Sequence, residues 1–294
     1  MAPETLPAVD AALARRLVGA QFPHWAGLPL RPVEPGGSDH AIFRMGADLS
    51  VRLPRHAGAI DQAKKEAEWL PRLAPVLPLA VPEPVAVGEP GSGYPWSWAV
   101  SRWLPGEVAT VDALAGSHDA AATLAGFLTD LQRQPTEGAG DLTGRPLSAR
   151  DAATRAAIEQ AGDVFGASAM LELWEAALGA PAWDRPPVWF HGDFHTGNLL
   201  TTGGRLSSVI DFGGLGVGDP ACDLMVAFTL LAAGPRATFR AALGTDDATW
   251  TRGRGWALST GLNAYTHYAA DHPGVAAQTT RQIVQALTDA RTGR

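Results

Sequence analysis

The sequence contains a single cysteine, Cys222, among 294 residues. One cysteine excludes a disulfide within the chain and any metal cluster that needs several thiolates. The chain also lacks an apolar run long enough to span a bilayer, and Glu4 and Asp10 interrupt the N-terminal stretch that a signal peptide would keep apolar. These absences predict a cytoplasmic protein with no membrane partner.

An excess of positive charge is also missing. The chain has 23 lysine and arginine residues against 30 aspartate and glutamate residues, and its formal net charge is -7 at pH 7. Nucleic acids bind surfaces on which positive charge is clustered, so we expect no nucleic-acid partner. The same long-range field slightly favours a cationic ligand.

The first third of the chain has the pattern of a small β-sheet. Strand-like segments occupy residues 31–35, 41–46 and 47–55, and the glycine-rich turn at 36–38 lies between the first two. An amphipathic helix is predicted at about 60–70, and two further strands are predicted around the Gly/Pro-rich stretch that follows. We therefore predict an N-terminal lobe comprising residues 1–103.

The remaining residues, 104–294, have the pattern of a mainly helical lobe. Helices are predicted at 117–133, 148–162 and 167–178, and one β-like insert covers 189–214. Two β-prone runs flank Gly203 and Gly204 in this insert, which is the pattern of a hairpin. The sequence thus predicts an α+β fold, with a small antiparallel sheet lobe and a larger helical lobe that meet at a cleft near residue 104.

Three oxygen-bearing side chains flank the predicted hairpin. A turn near Gly203 folds Asn198 and Asp211 toward the same end, and Asp193 lies on the loop that leads into the first strand. Oxygen ligands without thiolates suit Mg²⁺, and phosphoryl transfer needs that metal together with a carboxylate that deprotonates the attacking hydroxyl. We therefore predict Asn198 and Asp211 as metal ligands and Asp193 as the catalytic base.

The same region carries a motif series that is specific in its spacing. A lone HGD or DFG motif is weak, but both occur here across one hairpin. The series consists of His191-Gly192-Asp193, Asn198, Ile210-Asp211-Phe212-Gly213, Gly218-Asp219-Pro220 and Asp223. It resembles the aminoglycoside phosphotransferase (APH) family of protein-kinase-like enzymes, and the resemblance covers about residues 30–225.

The resemblance implies a nucleotide site in the N-terminal lobe, with ATP or GTP as the phosphate donor. Gly36, Gly37 and Ser38 would cover the phosphates, and residues 100–105, with Ser101 and Trp103, would form the hinge beside the base. Arg52 stands where the family commonly has lysine, and Glu66 is the helix glutamate that would pair with it. Arginine keeps a permanent charge and a bidentate fork, so the role is compatible with this change.

The resemblance also implies a small-molecule acceptor that offers a hydroxyl group. An aminoglycoside, a macrolide, another antibiotic or a small metabolite all fit the same scaffold, because a fold does not choose its substrate. An antibiotic-resistance role is therefore one of several expectations. The oligomeric state and the choice between ATP and GTP stay open.

Two alternative functions remain at this point. The spacing His191-x-Asp193-x-His195 would suit a metal-dependent hydrolase in which all three side chains bind one transition metal. Arg52 in place of lysine would suit a nucleotide-binding pseudokinase without catalysis. For three residues of the motifs we predict structural roles: His191 bracing the loop backbone, and Asp219 and Asp223 capping the helix that follows and bracing the loop.

Overall fold

The computed structural model describes residues 8–34, 36–37 and 39–292. The chain divides into two compact units. The first extends to Gly106 and takes in Ser208–Gly213, and the second comprises Glu107–Ser207 and the chain from Gly214 onward. The single crossing that the sequence predicted near residue 104 is therefore accompanied by a short return of the chain to the first unit. The predicted boundary at residue 103 stays a prediction.

The first unit is built on an antiparallel sheet with strand order β1-β2-β3-β5-β4. The strands are β1 (Leu30–Pro32), β2 (His40–Met45), β3 (Leu49–Pro54), β4 (Pro84–Gly88) and β5 (Trp98–Arg102). Strands β2 and β3 pair along their whole length, with Phe43 opposite Val51. Both side chains are buried, as is typical of β-branched and aromatic residues on the inner face of a sheet.

Two helices accompany this sheet, α1 (Ala11–Gln21) and α2 (Gln62–Leu73). Asp10 caps α1 by accepting a hydrogen bond from the Leu13 amide, and Leu13 and Leu17 join the strand residues in one apolar core. Helix α2 buries one face and continues two residues past Pro71, after which the chain tightens into a 3-10 turn. The helix expected at about 60–70 is therefore present.

The second unit is mainly helical. Its helices are α3 (Val111–Leu114), α4 (His118–Gln132), α5 (Asp151–Phe165), α6 (Ala167–Gly179), α7 (Val226–Thr229), α8 (Ala233–Leu243), α9 (Asp247–Tyr268) and α10 (Pro273–Thr292). The helices predicted near 117–133, 148–162 and 167–178 correspond to α4, α5 and α6. No helix in the described part of the chain has both the length and the apolar composition needed to cross a membrane.

Short strands interrupt the helices of the second unit and carry the motif region. These strands are β6 (Glu107–Val108), β7 (Val188–Phe190), β8 (Leu199–Thr202), β9 (Arg205–Val209) and β10 (Gly216–Gly218). The last two residues of β9 belong to the first unit. Strands β8 and β9 form the predicted hairpin, and its turn residues Gly203 and Gly204 both have positive φ. Glycine suits such a two-residue turn because it adopts positive φ without a steric penalty. The α+β fold class is confirmed.

Candidate active site

Asp193 lies on the loop between β7 and β8, in the second unit. Its side chain is half exposed, with 52% of the surface accessible. The side-chain nitrogen Nδ2 of Asn198 donates to the Asp193 backbone oxygen at 2.9 Å and to the Asp193 Oδ2 atom at 3.0 Å. The structure thus brings together two of the three predicted catalytic residues, and the Asn198 amide oxygen is the atom left to ligate a metal.

His195 is a second partner of the Asp193 carboxylate, with Nε2 3.4 Å from Oδ2. The Gly197 amide donates to His195 Nδ1 at 3.0 Å, so this nitrogen is an acceptor and Nε2 carries a proton that faces the Asp193 carboxylate. Burial acts to raise the pKa of Asp193, but the hydrogen bond and charge of His195, with His191 and Asn198, outweigh it and lower that pKa. Asp193 is therefore ionised at neutral pH.

Asp223 anchors the same loop through its carboxylate group. Its two carboxylate oxygens accept hydrogen bonds from the His191 and Gly192 amides at 2.7 and 2.8 Å. His191 is fully buried, and its Nδ1 accepts from the Asp193 amide at 3.2 Å. Asp219 caps the following 3-10 helix through the Ala221 amide. The structural roles predicted for His191, Asp219 and Asp223 are confirmed by these bonds.

Two glycines allow the backbone beside Asp193 to pack closely. Gly192 has φ +84°, and a Cβ atom added there would lie 2.2 Å from the Gly214 backbone oxygen. A side chain at Gly192 would therefore meet both a strained backbone and a direct clash. Phe194, which follows Asp193, is fully buried and stacks on Phe127 of α4 with ring centroids 5.6 Å apart. The loop is held in place on both sides of Asp193.

The first unit contains a cluster of charged side chains around Arg52 on β3. Arg52 Nη1 donates to both carboxylate oxygens of Glu66 on α2, at 2.9 and 2.8 Å. Its Nη2 donates to Asp211 Oδ1 at 3.1 Å. Glu66 is only 2% exposed, so this ion pair is buried. The pairing of Arg52 with Glu66 implied by the resemblance is present, and the arginine fork also holds Asp211.

Asp211 has φ +64°, in the left-handed region that residues other than glycine and asparagine or aspartate seldom adopt. Its Oδ1 binds Arg52, which leaves Oδ2 as the atom that would face a metal. Asp211 belongs to the first unit and Asn198 to the second. Their shared role as ligands of one metal therefore stays a prediction.

Two nearby residues were missed by the sequence analysis. Lys65, one residue before Glu66, donates from Nζ to the Gly213 carbonyl. His40 on β2 is 4% exposed, and burial, followed by the charge of Arg52, lowers its pKa to about 4. Local patterns gave no signal for either role, since Lys65 and Gly213 are 148 positions apart in the chain.

The other residues that were predicted to bind the nucleotide lie between strands β1 and β2 and in or directly after strand β5. Gly36 and Gly37 are exposed between β1 and β2, whereas Ser38 lies outside the described residues. Ser101 is buried in β5, and its backbone oxygen accepts from Ser50 Oγ at 3.3 Å. The guanidinium carbon of Arg44 lies over the Trp103 ring, 4.8 Å from the ring centroid. Their contacts with a nucleotide stay predictions.

The hydrolase alternative required His191, Asp193 and His195 to surround one metal. Within the described residues, no group of three or more His, Cys, Asp or Glu side chains is arranged to hold a metal ion. The His191 ring nitrogen and the His195 ring are instead engaged in the backbone and carboxylate bonds described above. The geometry gives this alternative no support.

Comparisons with solved structures show the same fold. The GDP complex of wild-type aminoglycoside 2'-phosphotransferase-IIIa has 19% identity and a TM-score of 0.72, with 95% of this chain and 99% of that chain covered. Macrolide 2'-phosphotransferase MphH from Brachybacterium faecium has 24% identity and a TM-score of 0.63, with 91% and 98% covered. The gentamicin-APH(2")-IIa complex has 18% identity and a TM-score of 0.66, with 95% and 97% covered. No curated protein matched the chain.

Residues 29–256 match the family described as the phosphotransferase enzyme family, APH. This range includes the whole sheet of the first unit, the hairpin and all the motif residues. It agrees with the predicted resemblance and with the predicted enzyme class. The chain therefore belongs to the APH phosphotransferase enzyme family.

Proposed function

We propose that this protein transfers the γ-phosphate of ATP or GTP to a hydroxyl group of a small molecule, with Asp193 as the catalytic base. The observation that carries this proposal is the environment of Asp193. The carboxylate is half exposed, oriented by Asn198 and His195, and kept ionised by them. A base in kinase-like phosphoryl transfer needs these three properties.

In the proposed reaction, the acceptor hydroxyl oxygen attacks the γ-phosphorus and a new P–O bond forms. The bond between the γ-phosphorus and the bridging oxygen breaks, and its electron pair leaves with the nucleoside diphosphate. The proton of the attacking hydroxyl passes to an oxygen of Asp193. The Nε2 proton of His195 stabilises the ionised carboxylate and fixes its orientation.

A magnesium ion fits the donor set of the motif residues. Asn198 offers an amide oxygen and Asp211 a carboxylate oxygen, which are hard ligands of the kind that Mg²⁺ binds beside phosphate. When bound, the ion would neutralise charge on the phosphates. Arg52 holds Asp211 in place through Nη2. Because Asp211→Asn removes the charge of a proposed metal ligand, it should weaken the binding of the magnesium nucleotide.

The donor contacts belong to the first unit in this proposal. Gly36, Gly37 and Ser38 would cover the phosphates, and the backbone near Ser101 and Trp103 would bind the base. Arg52 and Glu66 would form the charged partner of the phosphates, with arginine in place of lysine. The cytoplasmic location expected from the sequence is part of the same proposal, since nucleoside triphosphates are the co-substrate.

Product mass spectrometry tests this function directly. The purified protein is incubated with Mg²⁺ and ATP or GTP across a panel of aminoglycosides, macrolides and hydroxylated metabolites, because the similar solved structures include enzymes named for the first two classes. Transfer adds one phosphoryl group, or about 80 Da, to an acceptor. Magnesium-dependent nucleotide binding without any product would favour the pseudokinase alternative, and absence of nucleotide binding would contradict the proposal.

A further inference from the structure

A cavity of about 750 Å³ lies within the second unit, next to the catalytic loop. Gly192, which precedes Asp193 in the chain, and Gly214, which packs against it, form part of the wall. Every residue that lines the cavity belongs to the second unit. The cavity is large enough for a small-molecule acceptor, and its wall includes Gly192, the chain neighbour of the proposed base.

The charged residues of the cavity are mostly arginines. Arg145, Arg150 and Arg252 line it, whereas Asp219 is the one acidic residue among the described lining residues. Asp219 is already neutralised, because Arg252 Nε and Nη2 donate to its two oxygens at 2.7 and 3.1 Å. The two other arginines therefore give the cavity a local positive charge, although the whole chain carries -7.

Arg150 and Arg145 have no carboxylate partner within ion-pair distance in the described part of the chain. Arg150 donates from Nε to Ser259 Oγ at 2.7 Å, and its guanidinium carbon lies 5.5 Å from the Trp256 ring centroid. These contacts hold the side chain, and neither Nη group has a hydrogen-bond acceptor among the described residues. A planar fork with free N–H groups is the arrangement that binds carboxylate or phosphate bidentately.

A second unsatisfied donor lies beside Arg150. Trp256 lines the cavity, and its Nε1 is buried with no hydrogen-bond partner among the described residues. A buried N–H group without an acceptor is unfavourable, and a ligand oxygen would relieve it. The rest of the wall is largely apolar and includes Leu147, Leu178, Trp183, Phe190 and Leu215.

We propose that this cavity binds the acceptor, and that the acceptor is a hydroxylated, partly apolar compound bearing an oxyanion recognised by Arg150, with Arg145 and Trp256 beside it. The inference rests on the proposed phosphotransferase function and narrows its substrate class. A polycationic sugar such as an aminoglycoside would bring its ammonium groups against unpaired arginines, which is unfavourable at short range. The oxyanion could be a carboxylate or a phosphorus oxyanion, since the two share the chemistry that a guanidinium recognises.

A matched ligand series tests this proposal. The probes share one primary alcohol and one aromatic ring: 4-(hydroxymethyl)benzoate, 4-(hydroxymethyl)phenylphosphonate, methyl 4-(hydroxymethyl)benzoate and 4-(hydroxymethyl)benzylamine, with kanamycin as the polycation. Binding to the full chain with Mg²⁺ and nucleotide is measured by calorimetry, and transfer by product mass. We expect at least one of the two anions to bind about tenfold or more tightly than the ester and the amine. The comparison between carboxylate and phosphonate identifies the oxyanion.

Variants assign the preference to the cavity. Arg150→Met should reduce the ratio of anion affinity to ester affinity by about 10- to 100-fold, because one charged hydrogen-bonding partner is removed. The control is Arg155→Met on helix α5, which begins directly after Arg150, since Arg155 pairs with Asp151 and Glu175 and does not line the cavity. Trp256→Phe keeps the ring and removes only the N–H group. A smaller loss of anion binding in this variant, with unchanged binding of the ester, is expected.

The outcomes separate this inference from the proposed function. Anion binding that depends on Arg150, without phosphoryl transfer to any probe or to kanamycin, would support the cavity assignment and count against the transfer reaction. Phosphorylation of kanamycin or the amine in preference to both anions would support the transfer reaction and overturn the inference. Failure of both anions to bind, or an anion preference that Arg150→Met leaves unchanged, would also overturn it.

Discussion

Asp223 is a buried residue that holds the backbone of the loop that carries Asp193. It is fully buried, and it accepts the His191 and Gly192 amides within 2.8 Å. Burial raises the pKa of Asp223 to about 7, and the two backbone hydrogen bonds only partly offset this effect. Between its ordinary pKa and pH 7 the folded protein therefore binds more protons at this position than the unfolded chain does.

The predicted consequence is a pH-dependent stability contribution. As the pH rises from about 4 to about 7, this carboxyl group should lose roughly 2–4 kcal/mol of its contribution to the free energy of unfolding. Urea denaturation at several pH values measures the free energy of unfolding of the wild type and of Asp223→Asn. The wild-type value minus the variant value should decrease from pH 5 to pH 8. The control is Asp163→Asn on the exposed face of α5, for which the difference should be flat. A difference for Asp223→Asn that stays constant or grows would refute the assignment.

The contact between strand β3 and helix α2 includes a buried ion pair between Arg52 and Glu66. The arginine fork of Arg52 satisfies Glu66 with one nitrogen and Asp211 with the other. A lysine ammonium has a single nitrogen and less reach between two partners. The arginine at this position is thus a structural part of the first unit in addition to a proposed phosphate partner.

Removal of Arg52 should leave a buried carboxylate without a partner. Arg52→Met is expected to lower the free energy of unfolding by about 3–5 kcal/mol, and the double variant Arg52→Met/Glu66→Met should regain most of the loss. Arg133→Met, which removes an exposed pair with Asp130, should cost less than about 1 kcal/mol. Chemical denaturation of the four proteins gives these values. If the double variant is as unstable as Arg52→Met, the buried charge is not the cause.

Elements with strong local signals were predictable from the sequence, and the glycine pair at 203–204 is an example. Two positive-φ residues between β-prone runs specify a tight hairpin, and the structure has it. The motif spacing likewise placed Asp193 and Asn198 on one loop, where they are hydrogen-bonded. These features depend on residues close in sequence, so local patterns carry them.

Other features depend on contacts between distant residues, and the sequence did not reveal them. Lys65 bonds to the Gly213 carbonyl, and the neutral His40 owes its low pKa to burial beside Arg52. His195 was considered as a metal ligand, whereas the structure makes it the partner of the Asp193 carboxylate. The roles of Lys65 and His40 follow from tertiary packing between residues that are not neighbours in the chain. His195 and Asp193 are only two positions apart, but the sequence alone did not choose between their pairing and metal binding.

At the scale of the whole molecule, total charge is a poor guide to the acceptor. The net charge of -7 slightly favoured a cationic ligand, yet the cavity beside Gly192 is lined by three arginines and one aspartate. The interaction energy of a bound ligand depends mainly on charges within a few ångströms. Water and salt screen its interaction with more distant surface charges. Substrate class should therefore be inferred from the cavity and not from composition.

The division of the chain into two units separates the proposed roles. Asp193 and Asn198 lie in the second unit, and Asp211, Arg52 and Glu66 lie in the first. Substitution of Asp193 should therefore affect the chemical step, and substitution of Asp211 should affect the binding of the magnesium nucleotide. Asparagine is the suitable replacement at both positions, because it keeps the shape of the side chain and tolerates the left-handed backbone of Asp211.

The most direct test is a comparison of turnover and nucleotide affinity in Asp193→Asn and Asp211→Asn, each measured with Mg²⁺ and an acceptor found in the product screen. For Asp193→Asn the account predicts a fall in kcat of about 10²- to 10⁴-fold, with a dissociation constant for the magnesium nucleotide close to that of the wild type. For Asp211→Asn it predicts weaker nucleotide binding that added Mg²⁺ partly restores. Turnover near the wild-type value in Asp193→Asn would contradict the central claim that Asp193 is the catalytic base.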